Sequence, residues 1–257
     1  MKMKEILISN DDGYESPGLR ALVDALEGLG RITVVAPSTE KSACGHSLTL
    51  TRPLSFISVE DDFYKLDDGT PSDCIYLALH SLFEDRKPDL IISGINKGSN
   101  MGEDITYSGT AAAAMEGVLQ GVPSIAISQV MDFTQPMGDF ALAKTAIRTL
   151  AEKVLNGGFP LRHREFLNVN IPYGAEELKW CVTYAGYRYY ANDAHLHRNP
   201  RGLEYYWLGL HPLEFKAREA RERLCDFEAI EQGMVSITPV QLDMSAYESM
   251  HLLQEWL

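Results

Sequence analysis

Two adjacent carboxylates, Asp11 and Asp12, follow a short apolar run (KEILIS, Lys4 to Ser9) and precede Gly13. A carboxylate pair at one point can orient and deprotonate a water, or hold a divalent cation. Alone, the same residues are as well explained by a solvated turn with an Asx-type bond. Two further loops could add oxygen ligands. Beyond RITVVA and Pro37 come Ser38, Thr39, Glu40, Lys41 and Ser42, and after DLIIS come Gly94, Ile95, Asn96, Lys97 and Gly98. Carboxylates, hydroxyls and an amide oxygen are hard donors, which suit Mg²⁺, Mn²⁺ or Ca²⁺ better than zinc. The stretch Asn96 to Thr110 (NKGSNMGEDITYSGT) holds Gly98, Gly102 and Gly109 and then opens a helix. Small polar residues at a helix start present N–H groups and hydroxyls to an anion, so Ser108, Gly109 and Thr110 could cradle a phosphate. The plainer reading is a helix capped by Ser108 or Thr110. The loop is not a Walker A motif, and no G-x-G-x-x-G follows the first apolar run. A G-x-S-x-G elbow is absent, which disfavours a Ser-His-Asp hydrolase.

The elements that would position these residues follow from periodicity. Lys4 to Ser9 and Arg31 to Ala36 read as buried strands, with a helix over Pro17 to Leu29 between them. A strand–helix–strand unit makes the two strands parallel, with a right-handed crossover. Ser47 to Val59 alternates and suggests a hairpin or a small sheet excursion. Ser72 to Phe83 reads as a helix capped by Ser72. Asp89 to Ser93 and Pro123 to Ser128 are further strands, with an alanine-rich helix over Gly109 to Gln120 between them. Phe140 to Leu155 is an amphipathic helix, and Phe166 to Ile171 is the last core strand. This alternation predicts an α/β fold, a doubly wound, Rossmann-like, mostly parallel sheet with helices on both faces. In such sheets ligands bind beyond the carboxyl ends of the strands, which puts all three loops on one edge.

After about Pro172 the pattern changes. Lys179 to Tyr190 and Leu203 to Leu210 are aromatic and β-rich, and the cluster Tyr184 to Tyr190 suits packing or a subunit interface. Lys216 to Arg223 reads as a charged helical stretch, Met234 to Pro239 as a late strand, and 248–257 as a short apolar, helix-like tail. Without a repeat or low-complexity linker, 1–257 reads as one domain: a core over about 1–175 and a C-terminal β-rich extension over about 176–257. His195 and His197 read as surface residues, and His46 as a polar contact near the site.

Hydrophobic residues are 45% and charged residues 23%, the balance of a soluble globular protein. A formal net charge of −13 opposes binding to a nucleic-acid polymer. An anionic substrate therefore needs a local offset, either a cation or a helix N-terminus. The four cysteines, Cys44, Cys74, Cys181 and Cys225, form no C-x-x-C pair and read as reduced thiols of a cytoplasmic protein. No apolar stretch reaches the roughly 20 residues of a membrane span.

Taken in order, ILISNDDGYESPGLRAL, VVAPSTEKSACGHSLTLTRPL, GTPSDCIYLAL, PDLIISGINKGSNMGEDITYSGTAAAAMEG, NVNIP, NPRGLEYYWLG and GMVSITP resemble the SurE family of stationary-phase survival proteins. The resemblance covers nearly the whole chain. It implies a metal-dependent phosphomonoesterase acting on nucleoside 5′- and 3′-monophosphates. It further implies one divalent cation per subunit, Mg²⁺ or Mn²⁺, held by Asp11, Asp12, Ser42 and Asn96. Catalysis would then involve Asp11 and Asp12, with phosphate held by Asn96, Gly98, Asn100, Ser108, Gly109 and Thr110. It also implies a homodimer or homotetramer that exchanges C-terminal β-elements. Members often carry Gly-Thr-Asp where this chain has Leu224-Cys225-Asp226. Two rival readings remain open: a broader phosphatase or exopolyphosphatase, and a non-catalytic metal- or nucleotide-binding stress protein. A water nucleophile ranks above an aspartyl-phosphate, because the D-x-D arrangement of a nucleophile-plus-acid pair is absent.

Overall fold

A computed structural model of the chain describes residues 3–132, 134, 139–190, 193–209, 212–217 and 222–257. β1 (Glu5–Ser9), α1 (Pro17–Leu26) and β2 (Arg31–Pro37) form the predicted unit, with β1 and β2 parallel. Ser16 caps α1 by accepting the Leu19 N–H at 3.2 Å, and Pro17 fills the first position, where a missing N–H costs nothing. The helix ends at Leu26, earlier than its apolar spacing predicts, and Gly28 at φ 81° turns the chain.

The predicted hairpin lies further along the chain. β3 (Phe56–Glu60) and β4 (Phe63–Leu66) pair antiparallel, whereas 47–55 forms no strand. Non-ladder bonds hold that stretch: Thr49 N–H donates to Asp73 at 2.8 Å, and Thr70 Oγ1 donates to the Ser47 carbonyl at 2.8 Å. α2 (Pro71–Leu77) is capped by Thr70, not Ser72. Thr70 and Asp73 form a reciprocal capping box, which leaves Ser72 buried inside the first turn. A wide π-type turn continues it over Ala78–Leu82.

β5 (Leu90–Lys97), α3 (Gly109–Leu119), β6 (Ser124–Gln129), α4 (Ala141–Gly157) and β7 (Glu165–Ile171) complete the parallel core. Then come β8 (Trp180–Val182), β9 (Tyr187–Tyr190), β10 (Asp193–Arg198), β11 (Glu204–Gly209), β12 (Pro212–Lys216), α5 (Asp226–Glu231), β13 (Val235–Gln241) and α6 (Met250–Trp256). The main sheet has nine strands in the order β3-β4-β2-β1-β5-β6-β7-β13-β8. β7 is therefore not the last strand of the core sheet, since β13 returns to pair with it antiparallel. β10–β11 and β9–β12 form separate two-stranded pairs. The helical reading of Lys216 to Arg223 does not hold at its start, where Lys216 ends β12; 218–221 lie outside the described residues, and α5 begins only at Asp226.

Side chains alternate across the sheet with period two, and both faces are apolar, as buried parallel strands require. Ile6, Ile8, Leu90, Ile92, Ile125 and Ile127 face α1 and α4. Leu7, Ile91 and Ala126 face the opposite layer, which contains α2 and α3. No helix among the described residues is long and apolar enough to cross a membrane. The four cysteines are free thiols.

Candidate active site

Asp11 lies just past the end of β1 and is 4% exposed. Thr110 Oγ1 donates to its Oδ1, and the N–H groups of Gly109 and Thr110 also favour its charged form. Burial nevertheless dominates and pushes this carboxyl above the usual carboxylate range. Asp12 is half-buried and accepts the Lys97 N–H at 3.1 Å. Its carboxyl is pushed up to about 6, first by burial and then by the charge of Asp11, with Glu40 adding to the rise. The Asn10 amide fixes the turn beneath both by donating to Gly13 O at 2.9 Å and Ser16 Oγ at 2.8 Å.

Backbone bonds draw the second loop onto the pair. Lys41 N–H donates to the Asp11 carbonyl at 2.8 Å, and Gly45 N–H to the Tyr107 carbonyl at 2.9 Å. Ser42 follows Lys41 directly, and its exposed hydroxyl donates to Glu40 at 2.7 Å. His46 makes the expected polar contact, at 3.0 Å from the buried carboxylate of Glu116. His195 and His197 lie far along the chain in the exposed β10.

A register shift between Ser93 and Asn96 shapes the third loop. Gly94 has φ 140°, and a Cβ there would stand 2.3 Å from the Ile127 carbonyl oxygen, so only glycine fits. The Asn96 amide nitrogen donates to Gly98 O at 3.0 Å, which leaves its carbonyl oxygen as the side chain's lone-pair donor. Asn100 is buried. Its amide donates to Ser128 Oγ at 2.8 Å, and its carbonyl accepts from Asn168 and Asn170 at 2.8 and 3.0 Å. It therefore fastens the loop to β6 and β7.

The start of α3 departs from an empty anion cradle. Ser108 caps the helix by accepting the Ala111 N–H at 3.0 Å, and Gly109 and Thr110 face Asp11. A Cβ on Gly109 would lie 2.7 Å from Asp11 Cβ, so glycine permits this close approach. The helix N-terminus thus holds a protein carboxylate, with the charge sense that the helix dipole favours. Sequence reading had no local signal for this contact, because its partners are 99 residues apart.

The donor chemistry fits a divalent cation. Two carboxylates raised by burial, Asp12 also by the charge of Asp11, are relieved by a positive ion, and the Ser42 hydroxyl and Asn96 amide oxygen on the adjoining strand-end loops are hard ligands. Among the described residues no three His, Cys, Asp or Glu side chains gather as a metal cluster, so the fit rests on this mixed oxygen set. A cavity of about 500 Å³ beside Gln129, Ile171 and Tyr173, at the ends of β6 and β7, does not include the carboxylates.

Comparison with known proteins agrees over the whole chain. The family described as Survival protein SurE matches residues 6–192. A 5′-nucleotidase SurE of Sulfurimonas denitrificans is 66% identical, covering 98% of each chain. One from Wolinella succinogenes is 62% identical, covering 99% of this chain and all of its own. The crystal structure of the SurE protein from Aquifex aeolicus superposes with a TM-score of 0.79 at 41% identity, covering 98% of this chain and 99% of that one. With the strand-end carboxylates, the fold and the full-length similarity in accord, the chain belongs to the SurE family.

Proposed function

We propose that this chain hydrolyses nucleoside 5′-monophosphates, and 3′-monophosphates as well, to nucleoside and phosphate with the help of one Mg²⁺ or Mn²⁺ per subunit. The observation that carries the chemistry is the Asp11–Asp12 pair, both raised by burial, with the Lys97 charge offsetting only part of the rise at Asp12. The substrate class comes from the relatives named 5′-nucleotidase at 66% and 62% identity.

In this reading Asp11, Asp12, Ser42 and Asn96 hold the ion. When bound, a divalent ion polarises the phosphoryl group and acidifies a water. Asp11 is buried and held by Thr110, so its role is to hold and orient. Asp12 is half-buried and reaches solvent, which makes it the carboxylate that takes the proton of the attacking water. The turn at Asn96 and Gly98, beside the Asp12–Lys97 contact, holds the phosphate. Gly109 and Thr110 act on it through Asp11 and the field of the α3 N-terminus, Ser108 caps that helix, and Asn100 keeps the loop in place.

We read 1–257 as one functional unit that assembles as a homodimer or homotetramer. Trp207 and Leu208 on β11 are 65% and 77% exposed, and Trp256 and Leu257 at the end of α6 are 80% and 91% exposed. Four free thiols accord with a cytoplasmic setting.

Phosphate release from a nucleoside 5′-monophosphate, measured with EDTA and then with Mn²⁺ or Mg²⁺ restored, tests the proposal. Activity should vanish and return. Release that ignores chelation overturns the metal reading, and preference for short polyphosphate over nucleotides favours the broader phosphatase.

A further inference from the structure

The loop that leads into α3 is fastened from outside the parallel core. Gly102 opens a short 3-10 turn, Gly102–Thr106. Its N–H donates to Asp226 Oδ2 at 2.8 Å, while Asp226 Oδ1 accepts the N–H groups of Gly186 at 2.9 Å and Phe227 at 3.0 Å. Asp226 is wholly buried. Gly102 has φ 56°, and a Cβ there would meet the Phe227 ring at 2.9 Å and the Gly186 carbonyl at 3.0 Å. One carboxylate thus joins the site loop to the chain segment before β9.

A second fastening lies alongside. Arg188 Nε donates to Asp104 at 3.2 Å, its guanidinium carbon lies 4.3 Å from the Phe227 ring centroid, and its N–H donates to Glu103 at 2.6 Å. Tyr190 OH donates to Asp104 as well. The Arg188 and Asp104 side chains are only 14% and 16% exposed, so this pair escapes most of the screening that weakens surface pairs. Two residues after the turn, Ser108 begins the segment whose Gly109 and Thr110 face Asp11.

We propose that Asp226, seconded by Arg188, is a positioning residue for the active site. It fixes the Gly102–Thr106 turn and, through it, the Gly109 and Thr110 donors on Asp11. Neither residue touches the reacting atoms. The inference rests on the reading of Asp11 as a ligand of the divalent ion.

The test uses the full-length chain and three variants, with Mn²⁺ binding by titration calorimetry, phosphate release and thermal melting. Asp226→Asn keeps the volume but sets an NH₂ against one of the N–H donors, so Gly102 and Gly186 cannot both be held. It should weaken Mn²⁺ binding and lower kcat by about tenfold or more, since small misplacements at a reacting centre cost that much. Arg188→Gln should act in the same direction by a smaller factor. Thr183→Val is the control. It removes buried bonds to Ser236 and Thr238 at 2.8 and 2.7 Å in the same region but leaves the turn alone. It should melt lower yet bind Mn²⁺ like the parent.

Parental Mn²⁺ affinity and kcat in both Asp226→Asn and Arg188→Gln overturn the proposal. So does an equal loss in Thr183→Val, which would reduce the effect to general destabilisation. If Asp226→Asn fails to fold, Arg188→Gln decides alone, and parental Mn²⁺ affinity there overturns it. A parent that neither binds Mn²⁺ nor releases phosphate sinks the functional reading itself, and this proposal with it.

Discussion

At the scale of single residues, the site is a problem of burying negative charge. Asp11 is 4% exposed beside a second carboxylate, an arrangement that costs free energy unless a cation or donors compensate. Thr110 and the α3 N-terminus supply part of the compensation to Asp11, and the Lys97 N–H supplies part to Asp12. Removing either charge should therefore stop turnover without unfolding the protein. Asp11→Asn and Asp12→Asn are each expected to lower phosphate release by orders of magnitude, and near-parental turnover in either would exclude a shared site. Thr110→Val keeps the shape but leaves a buried carboxylate oxygen without its hydroxyl donor, a loss of about 1–3 kcal/mol. Urea denaturation should read that loss, and Mn²⁺ titration should show weaker binding.

At the scale of elements, close backbone approach decides where the loops stand. Gly18 on α1 lies so near β5 that a Cβ would be 1.9 Å from the Ile95 carbonyl oxygen. In an exposed helix Gly→Ala gains about 1 kcal/mol. Here the contact is with backbone, which cannot swing away, and overpacking of this kind costs about 1–3 kcal/mol or more. Gly18→Ala should therefore destabilise the fold despite better helix propensity. A higher urea midpoint for this variant would mean that α1 is not seated on β5 as described. Most of the elements were legible because their signals are local: Pro17 at the start of α1, apolar runs of strand length, and Ser108 as the cap of α3. The 47–55 stretch alternates Thr and Ser like a strand, but Ser47 and Thr49 bond to Thr70 and Asp73 rather than to a ladder.

At the scale of the molecule, a net charge of −13 surrounds the proposed site for an anion, and the α3 N-terminus is already committed to Asp11, so a cation bound at the carboxylates would have to reverse the field there. The C-terminal region contributes to that site as well as to any assembly, since Asp226 reaches the site loop across 124 residues. α6 has no buried residue, and its apolar side chains include Leu253 at 57% and Trp256 at 80% exposure. Exposed apolar surface of this kind marks an interaction face. Deleting residues 244–257 should shift the protein to a smaller species in sedimentation. An unchanged number of subunits by sedimentation equilibrium would exclude α6 from the proposed interface.

The amino-acid sequence by itself determined the parallel core, the placement of Asp11 and Asp12 past the end of β1, and the hard-oxygen character of the loops beside them. Those features follow from periods of two and 3.6 residues and from side-chain chemistry, both of which act over short spans of chain. Only the tertiary structure decided that Thr110 and Gly109 turn toward Asp11, that β13 returns to pair with β7, and that Asp226 holds Gly102. These contacts join residues that no local rule relates. They are fixed by how the layers pack, which places a donor against each buried acceptor only once the whole sheet has formed.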